Sequence, residues 1–514
     1  MALPARVLLL TCVFHVGRTD ATTEDVCRSE DGCGKQDYFW PHTFGGIHRS
    51  LLPFEVPTNL SSSLAWSWHH PSGPWGELTI GAVIDDQKNI YVSADTAAYK
   101  FSPDGVLLWT YEPPGKGEPG GPGQPDGPAI MDGSFFSQTL SGWVFSVDMV
   151  TGKQNWATKF VPGCDNTGYV AANRGIVVVD TGPLATAANG APTCNLVRAL
   201  NATTGIEVWH LQTDFGLWDF MPQFASDGSL VFQDSTGQIY RVRSEDGSLM
   251  WKNGGGGKDS WTDGSQLLAP NDIVYQVNND VPFLPNGTGK LGAYRFSDGK
   301  KLWVQNVPYP PNSSPAVGPL GKGESLSVVI PVGQQVTNGG SPPAHKLWYM
   351  FPWLSSLPEF AQLAIWLFFH NLSVRLGDWG TLLWGRTGPY PHEIHVFDAE
   401  TGQFQWSWYS HTWTRTMAAG DEEGTIARST KQIRGACWPT SWAQPAIGPD
   451  GTIYVGAENG VLYAVRDANK DGHIDSKTEV SSFDTGSNFP HSAIAHAPGM
   501  HIVTNCAGVF AWKS

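Results

Sequence analysis

The sequence predicts an all-β fold, an eight-bladed β-propeller closed by a strand from the N-terminus, with one helical insertion near 350–376. Three observations lead to this fold class. A short hairpin that ends in Trp recurs along the chain. The 514 residues include 59 Gly and 37 Pro, a composition typical of many strands joined by turns. The last repeat lacks a strand that the N-terminal region can supply.

Each copy of the hairpin has an apolar strand end, a polar turn with Gly and an apolar strand that ends in Trp. The copies are FSPDGVLLW (101–109), VDMVTGKQNW (147–156), LNATTGIEVW (200–209), RSEDGSLMW (243–251), FSDGKKLW (296–303) and FDAETGQFQW (397–406). From Trp109 to Trp303 the interval between these Trp residues is 42 to 53 residues. A period of this length with strand patterns is typical of four-stranded propeller blades. Upstream of Trp251, 228–235 and 237–244 are two further strand candidates.

The number of blades depends on how the ring closes. The unit 443–483 has two strands joined by an Asn-Gly turn, with Phe483 in the place of Trp. The final segment supplies about three strands, and SLAWSWHH (63–70) closely resembles QFQWSWYS (403–410). A closing strand from the N-terminus would leave no free sheet edge. Eight closing residues then mark eight blades, the alternative being seven blades and an irregular segment: Trp66, Trp109, Trp156, Trp209, Trp251, Trp303, Trp406 and Phe483.

The hairpins DMVTGKQNW and DAETGQFQW, of the form D-x-x-T-G-x-x-x-W, resemble the repeats of the pyrroloquinoline-quinone-type propeller superfamily. The resemblance covers about residues 63 to 514. It implies the fold but not an activity, because the superfamily includes quinoprotein dehydrogenases and non-catalytic relatives such as a bacterial outer-membrane assembly lipoprotein. The dehydrogenases carry adjacent cysteines beside the quinone. This chain has no Cys-Cys pair, so we expect no pyrroloquinoline quinone and assign no catalytic residue.

The first 62 residues precede the repeats. Residues 1–21 have the basic start, short apolar run and small residues of a signal peptide. Residues 22–62 are predicted to form a Cys-containing N-terminal segment, and 63–514 the propeller with an insertion at 345–388. A signal peptide predicts a secreted or lumenal protein. The formal charge of −15 without a Lys/Arg block gives no electrostatic basis for nucleic-acid binding.

Cysteines and sequons agree with the secretory route. Without the signal peptide the chain keeps six Cys, an even number that suits three disulfides. Nearness in sequence favours Cys27–Cys33 and Cys164–Cys194, which leaves Cys437–Cys506; unpaired buried thiols are the alternative. Five N-x-S/T sequons predict N-glycans at Asn59, Asn201, Asn286, Asn312 and Asn371.

The segment 356–376 has a helix-start signature at Ser356–Glu359, followed by a run rich in Trp, Phe and Leu. The apolar run is shorter than the roughly 20 residues of a membrane span. Three roles stay open: a helix packed on the propeller flank, a contact with a membrane surface or a partner, and a true span.

The sequence D-x-N-x-D-G-x-x-D at 467–475 predicts a calcium loop. Oxygen ligands at Asp467, Asn469 and Asp471, the carbonyl of His473 and the carboxylate of Asp475 can converge, and the Gly at position 6 permits the sharp turn. Thr478 at position 12 and the flanking strand patterns argue against an EF-hand. A solvated acidic turn is the alternative. A structural role for calcium, between blades, is the expectation.

The remaining patterns favour binding over catalysis. The scattered histidines, among them His392 and His496, are expected to be ordinary loop residues, because a zinc site needs three or four convergent ligands. The most consistent function is a binding or scaffold protein that takes a protein or carbohydrate ligand on a propeller face. The alternative is a quinone-dependent oxidoreductase of the alcohol or sugar dehydrogenase type. A hydrolase or lyase site on axial loops is a third hypothesis.

Overall fold

The computed structural model describes residues 38–46, 50–71, 80–94, 97–115, 127–139, 141–161, 168–182, 195–280, 287–321, 324–334, 351–358, 360–362, 364–365, 368, 389–415, 418–420, 441–489 and 494–514. These residues form eight antiparallel sheets of four strands each, which are the blades of a propeller. The predicted all-β, eight-bladed fold is therefore confirmed.

The strands of each blade follow one another in the chain, except in blade 8. Its fourth strand is the first of the chain, Leu64–His69 (β1). Blades 1 to 4 consist of Ile80–Ile84 (β2), Ile90–Ser93 (β3), Ala98–Phe101 (β4), Leu107–Tyr111 (β5); Ala129–Met131 (β6), Ser134–Gln138 (β7), Trp143–Asp148 (β8), Gln154–Lys159 (β9); Ala171–Asn173 (β10), Ile176–Thr181 (β11), Leu196–Asn201 (β12), Glu207–Gln212 (β13); and Gln223–Phe224 (β14), Leu230–Gln233 (β15), Gln238–Val242 (β16), Leu249–Gly254 (β17).

Blades 5 to 8 continue the same order along the chain. They consist of Leu267–Leu268 (β18), Ile273–Asn279 (β19), Gly289–Arg295 (β20), Lys301–Val307 (β21); Ala316–Pro319 (β22), Leu326–Gly333 (β23), Tyr390–Asp398 (β24), Phe404–Trp413 (β25); Ala446–Ile447 (β26), Ile453–Gly456 (β27), Val461–Val465 (β28), Val480–Asp484 (β29); and Ile494–Ala497 (β30), Met500–Thr504 (β31), Gly508–Lys513 (β32) with β1. The described 3-10 helices are Gly257–Asp259 and Pro352–Ser356.

The first strands of neighbouring blades contact one another, for example β2 with β30, β6 with β10 and β22 with β26, so they surround the axis of the ring. The alternating strand directions give the propeller two different faces. One face has the turns between second and third strands, such as 457–460, and the links between blades, such as 255–266. We call it the connection face. The docking face carries the turns between third and fourth strands, such as 148–153.

The ring closes as the sequence predicts. Strand β1 pairs antiparallel with β32, and Trp66 lies opposite Ala511. The indole nitrogen of Trp66 then donates to the carbonyl of Pro103 in blade 1 at 2.9 Å. The N-terminal strand thus completes blade 8 and also joins blade 8 to blade 1. The seven-blade alternative is wrong.

The repeated Trp residues connect successive blades. Each of six indole nitrogens donates to a carbonyl in the third-to-fourth-strand turn of the next blade: Trp66 to Pro103, Trp109 to Met149, Trp156 to Ala202, Trp209 to Ser244, Trp251 to Phe296 and Trp303 to Ala399. The turn glycine of that blade lies against the indole ring with a positive φ, as at Gly205. A β-carbon at this position would clash with the indole ring, and residues with side chains rarely adopt a positive φ.

The series changes at the last two junctions. The turn of blade 7 that faces blade 6 is the predicted calcium loop, and Trp408 of blade 6 donates to Ser476 in that loop at 3.1 Å. Phe483 of blade 7 packs against Trp512, with ring centroids 5.4 Å apart. Blade 8 has no continuous turn at this place because its third and fourth strands are the two ends of the repeat region. This explains why a ring without an N–H group occupies position 483.

The insertion lies between β23 and β24 of blade 6. The 3-10 helix Pro352–Ser356 precedes α-helical residues at 360–362, 364–365 and 368. Ser356 therefore ends a 3-10 helix and does not cap the α-helix as predicted; the amide of Gln362 donates to the carbonyl of Pro358 at 3.1 Å. Among the described residues, no helix is long and apolar enough to cross a membrane.

Candidate functional site

The axial channel holds the first part of the chain's own N-terminal segment. We call residues 38–46 and 50–60 the plug; its last residues leave the axis, and the amide of Leu60 donates to Ser481 of the outermost strand β29 at 3.0 Å. Trp40 exchanges two backbone hydrogen bonds with Ile84 at the end of β2, at 3.0 and 2.9 Å. Two blades away around the ring, the amide of Leu52 donates to the carbonyl of Ile447 in β26 of blade 7 at 2.9 Å. The plug thus pairs with the inner edges of blades 1 and 7, which flank blade 8.

Side chains of the plug fill the space between these pairings. Leu52 is 1% exposed and Trp40 5%, and both belong to the largest apolar core of the molecule. Phe44 packs on Tyr169 with ring centroids 4.5 Å apart, and the Thr43 hydroxyl donates to the carbonyl of Pro128 at 2.9 Å. Described residues of the predicted segment 22–62 therefore form part of the core at the axis of the ring. The sequence did not predict this position.

A small cavity lies between the plug and the first strands of blades 7 and 8. Its volume is about 10 Å³, and Trp40, Phe44, Gln444 and Ile494 are among its lining residues. A cavity of about this size has space for one water molecule. A cavity of this size does not hold a tricyclic quinone, and the sequence lacks the adjacent cysteines of the dehydrogenases.

The connection face contains a buried carboxyl group at Asp180, near the end of β11. Gln138 donates to Asp180 Oδ1 at 2.8 Å, and a β-carbon at Gly168 would lie 2.1 Å from the same oxygen. Burial, and to a smaller extent the charge of Asp219, raises the pKa of Asp180 to about 6. Asp219 is itself buried with φ of 47°. This carboxyl can exchange a proton near neutral pH, which sequence patterns could not show.

A second set of buried polar groups lies between blades 6 and 7. His392 Nε2 lies 3.1 Å from Glu458 Oε1, and both side chains are fully buried. His392 Nδ1 lies 2.9 Å from the carbonyl of Tyr390, which only accepts, so Nδ1 carries a proton. The ring of His411 stacks on His392 at 4.3 Å. Burial lowers the pKa of both histidines to about 3.

The histidines were expected to lie in loops, and this expectation is wrong for His392 and His496, which are buried strand residues of β24 and β30. Both strands mix apolar and polar residues, so the sequence pattern did not identify these histidines as buried strand residues. Among the residues that the structure describes, no group of three or more His, Cys, Asp and Glu side chains is placed to hold a metal ion.

The loop predicted to bind calcium joins β28 to β29 on the docking face. Asp467 Oδ1 and Asn469 Oδ1 both accept from the amide of Asp471, at 3.2 and 2.9 Å, and Asp471 Oδ1 accepts from the amide of His473 at 2.8 Å. Glu479, outside the predicted set, accepts from the amides of Ala468, Asn469 and Asp475 and closes the loop. Asp475 accepts from the amide of Lys477 at 2.9 Å.

These contacts give the loop the tight curl that the sequence predicts, with φ of 74° at Gly472. The oxygens of Asp467 and Asn469 converge on one side, as an oxygen-ligand site requires. In the described conformation, however, the carboxylates are occupied by backbone amides. Calcium binding stays a prediction.

Two further sets of predicted residues lie only partly within the described chain. Cys506 is buried and disulfide-bonded, and its partner lies outside the described residues, as do Cys27, Cys33, Cys164, Cys194 and Cys437. The pairings therefore stay predictions. Asn59 and Asn201 are exposed, whereas Asn286 and Asn371 lie outside the described residues. Asn312 is 5% exposed and accepts from Asn279 at 2.7 Å, so a glycan there would break a buried contact.

Aromatic side chains of the insertion are exposed. Trp353 is 61% exposed, Phe360 76% and Phe368 63%. Phe360, Ala364 and Phe368 follow one another at intervals of four, so these exposed residues share one face of the helix. This described part of the predicted segment 356–376 therefore presents an apolar stripe to solvent rather than to the propeller flank.

Comparison with known proteins agrees with this architecture. Residues 93–253 match the family model of the outer membrane protein assembly factor BamB. The chain is 28% identical over 222 residues to the tetrathionate hydrolase of Acidithiobacillus ferrooxidans, an alignment that covers 40% of this chain and 39% of that protein. The chain thus spans about two fifths of the length of this relative.

Solved structures include quinohemoprotein alcohol dehydrogenases of similar fold. The enzyme of Comamonas testosteroni has a TM-score of 0.56 at 12% identity, covering 96% of this chain and 83% of the enzyme. The enzyme ADHIIG of Pseudomonas putida HK5 has a TM-score of 0.55 at 13% identity, covering 94% and 80%. At identities this low, the structural similarity shows a common fold and does not assign an activity to this chain.

Proposed function

We propose that this eight-bladed β-propeller, whose residues 93–253 match the family model of the assembly factor BamB, is a binding and scaffold protein. The filled axial channel supports this role most directly. Trp40, Phe44 and Leu52 occupy space around the axis, and the cavity of about 10 Å³ beside Trp40 and Phe44, among the described residues, has room only for a water molecule. A ligand then binds on a face of the propeller and not within the channel.

The insertion of blade 6 supplies the proposed contact. Exposed aromatic side chains are enriched at protein interfaces, where a few of them contribute most of the binding energy. The stripe of Phe360, Ala364 and Phe368, with Trp353 before it, has the spacing of a helix that lies in an apolar groove of its partner.

A protein partner agrees better with the charges than a membrane surface does. Helices that bind anionic membranes carry Lys and Arg on their polar face. The described residues of 351–368 include none, and the whole chain has a formal charge of −15, which an anionic surface repels.

Site-specific photo-crosslinking tests the contact. A photoreactive phenylalanine analogue at position 360 is expected to give a saturable crosslink to one protein of the medium or lumen. The same analogue at Val208, which is 49% exposed on blade 3, is the matched control. Equal crosslinking at both positions, or flotation with anionic vesicles that needs Trp353 and Phe360, would overturn the proposed protein contact.

The oxidoreductase alternative is separable by a second measurement. The purified chain, incubated with pyrroloquinoline quinone and Ca²⁺, is expected to retain no quinone absorbance after gel filtration and to show no dye-linked oxidation of alcohols or sugars. Stoichiometric retention of the quinone with dye-linked turnover would contradict the scaffold role, whatever the crosslinking shows.

Calcium at 467–475 would stiffen the junction between blades 6 and 7. Asp467, Asn469 and Asp471 would supply side-chain oxygens, His473 its carbonyl and Asp475 its carboxylate. The loop occupies the place of a Trp-docking turn, and Lys470 forms an ion pair with Glu324 of blade 6. The predicted secretory location would provide the calcium. Glycosidase treatment that shifts the mobility of the protein, and shifts an Asn59→Gln, Asn201→Gln variant less, would support that location.

A further inference from the structure

Two buried histidines hold the exit of the plug. His496 in β30 and His501 in β31 are 0% and 1% exposed, and their Nδ1 atoms lie 2.9 Å apart. His501 Nε2 lies 2.7 Å from the carbonyl of Pro57 in the plug. The ring of His496 packs on Trp40 of the plug, with centroids 5.0 Å apart. The two side chains thus contact the plug at both its aromatic end and its exit.

The acceptors determine where each proton lies. The carbonyl of Pro57 only accepts, so His501 Nε2 donates to it. His501 Nδ1 is then an acceptor, and His496 Nδ1 donates to it. His496 Nε2 is left without a proton and, among the described residues, without a hydrogen-bond partner. The arrangement is therefore complete only when both histidines are neutral.

We propose that His496 and His501 form a latch that holds the plug in the axial channel at neutral pH and releases it when they are protonated. A proton on His501 Nδ1 places two N–H groups against each other at 2.9 Å and breaks the bond between the rings. A proton on His496 Nε2 buries a cation between Trp40 and Tyr454. Both changes weaken the hold on the plug, because a buried charge without a counter-charge is strongly unfavourable.

The charged neighbours of the latch do not compensate such a proton. Tyr454 of β27 packs on His501 at 4.5 Å between centroids, and burial raises its pKa. The charges of Asp450, Glu55 and Arg466 also contribute to the pKa shift of Tyr454, and the side chain of Glu55 is exposed. From β2, the turn residue Lys88 donates to the carbonyl of Pro498 at 2.7 Å. No carboxylate is among the causes of the shifted pKa of either histidine.

The direction of the pH effect follows from the two states. Burial lowers the pKa of His501 to about 4, and burial together with His501 lowers that of His496. In the released plug both groups would have pKa values of about 6.5. Below that pH the released state binds more protons, so its population rises up to about tenfold per pH unit for each histidine.

Hydrogen exchange between pH 7 and 5, expressed as protection factors, tests the latch in the full chain. The amides of Trp40 and Leu52, which donate to Ile84 and Ile447, report on the plug. The amide of Val197, a fully buried residue of β12, reports on global unfolding. The plug amides are expected to lose protection by about tenfold to a hundredfold per pH unit, before Val197 does. A parallel loss at all three amides, or no loss in the plug, would overturn the proposal.

Matched variants assign the effect to the pair. The double variant His496→Gln, His501→Gln is expected to abolish most of the pH dependence of the plug amides. His392→Gln, at a fully buried histidine of blade 6, is expected to keep it. A double variant with the pH dependence of the wild type would refute the latch. If the double variant does not fold, the comparison of plug and β12 in the wild type still decides.

Discussion

Trp156 and Gly205 lie in neighbouring blades and fit each other directly. The indole nitrogen of Trp156 donates to the carbonyl of Ala202 at 2.8 Å, and a β-carbon on Gly205 would lie 2.4 Å from Cε3 of the indole. The same relationship recurs at five other junctions of the ring. Position 205 therefore needs glycine both for its φ of 68° and for this contact.

Substitution of Gly205 by Ala should separate these two requirements. Gly175 in the same blade has φ of 79° and nothing within 4 Å of the position of its β-carbon, so Gly175→Ala is the matched control. We expect Gly205→Ala to lower the free energy of unfolding by about 1–3 kcal/mol more than Gly175→Ala, because it also displaces Trp156. Denaturant unfolding measures both. Equal losses would show that the indole contact does not constrain the turn.

The plug should contribute to the stability of the whole propeller. Leu52→Ala removes a side chain that is 1% exposed and should cost about 2–5 kcal/mol. Leu107→Ala, at a leucine that is 45% exposed on β5, should cost less than about 1 kcal/mol. Thermal unfolding at a fixed scan rate compares them. A Leu52→Ala variant as stable as Leu107→Ala would mean that residues 50–60 do not pack in the channel.

Acid should destabilise the protein through its buried histidines. Burial, and secondly His392, lowers the pKa of His411 to about 3, whereas the unfolded chain binds this proton near pH 6.5. Stability is therefore lost as the pH falls below about 6.5, at up to about 1.4 kcal/mol per pH unit for this group. The variant His411→Gln should lose less stability between pH 7 and 4 than wild type. The exposed His210→Gln serves as control, and a His411→Gln profile equal to its profile would contradict the prediction.

Asp180 should have the opposite pH dependence. Its pKa is raised to about 6, so the folded state loses stability as the pH rises through that value and the buried carboxyl ionises. Asp180→Asn keeps an oxygen for Gln138 and removes this cost, so it should stabilise the protein by about 2–3 kcal/mol at pH 7.5. At pH 4 the gain should be below about 1 kcal/mol. Equal effects of the substitution at both pH values would argue against a buried ionised carboxyl.

Calcium should bind at the loop of blade 7. Isothermal calorimetry with Ca²⁺ is expected to give one site in the wild type and none in Asp471→Ala. Asp246→Ala, in the docking turn of blade 4, removes an acidic turn residue without touching the loop and should bind as wild type does. A wild type without binding heat and without a rise in melting temperature on addition of Ca²⁺ would leave the loop as a solvated acidic turn.

The repeat could be predicted because its determinants are local. A turn glycine and a Trp a few residues later lie within one hairpin, and the count of eight followed from the likeness of 63–70 to 403–410. The replacement of Trp by Phe at position 483 could be recognised from the sequence. The reason for it is visible only in the structure, where Phe483 packs on Trp512 and the two ends of the repeat region form blade 8.

The plug and the histidine pairs could not be predicted in the same way. Trp40 meets Ile84, and Leu52 meets Ile447, over long and irregular separations that have no periodicity. His496 and His392 lie in strands where the sequence pattern did not distinguish a buried histidine from a loop histidine. Their protonation depends on burial by distant segments, and a single sequence does not record such burial.

Hydrogen exchange at pH 7 tests the filled channel most directly. If residues 38–46 and 50–52 occupy the axis, the amides of Trp40 and Leu52 should be protected at least a thousandfold, on the order expected for hydrogen-bonded core strands. Exchange of both amides at the rate of an unstructured chain, with the blades intact, would show that the channel is open and would contradict the account.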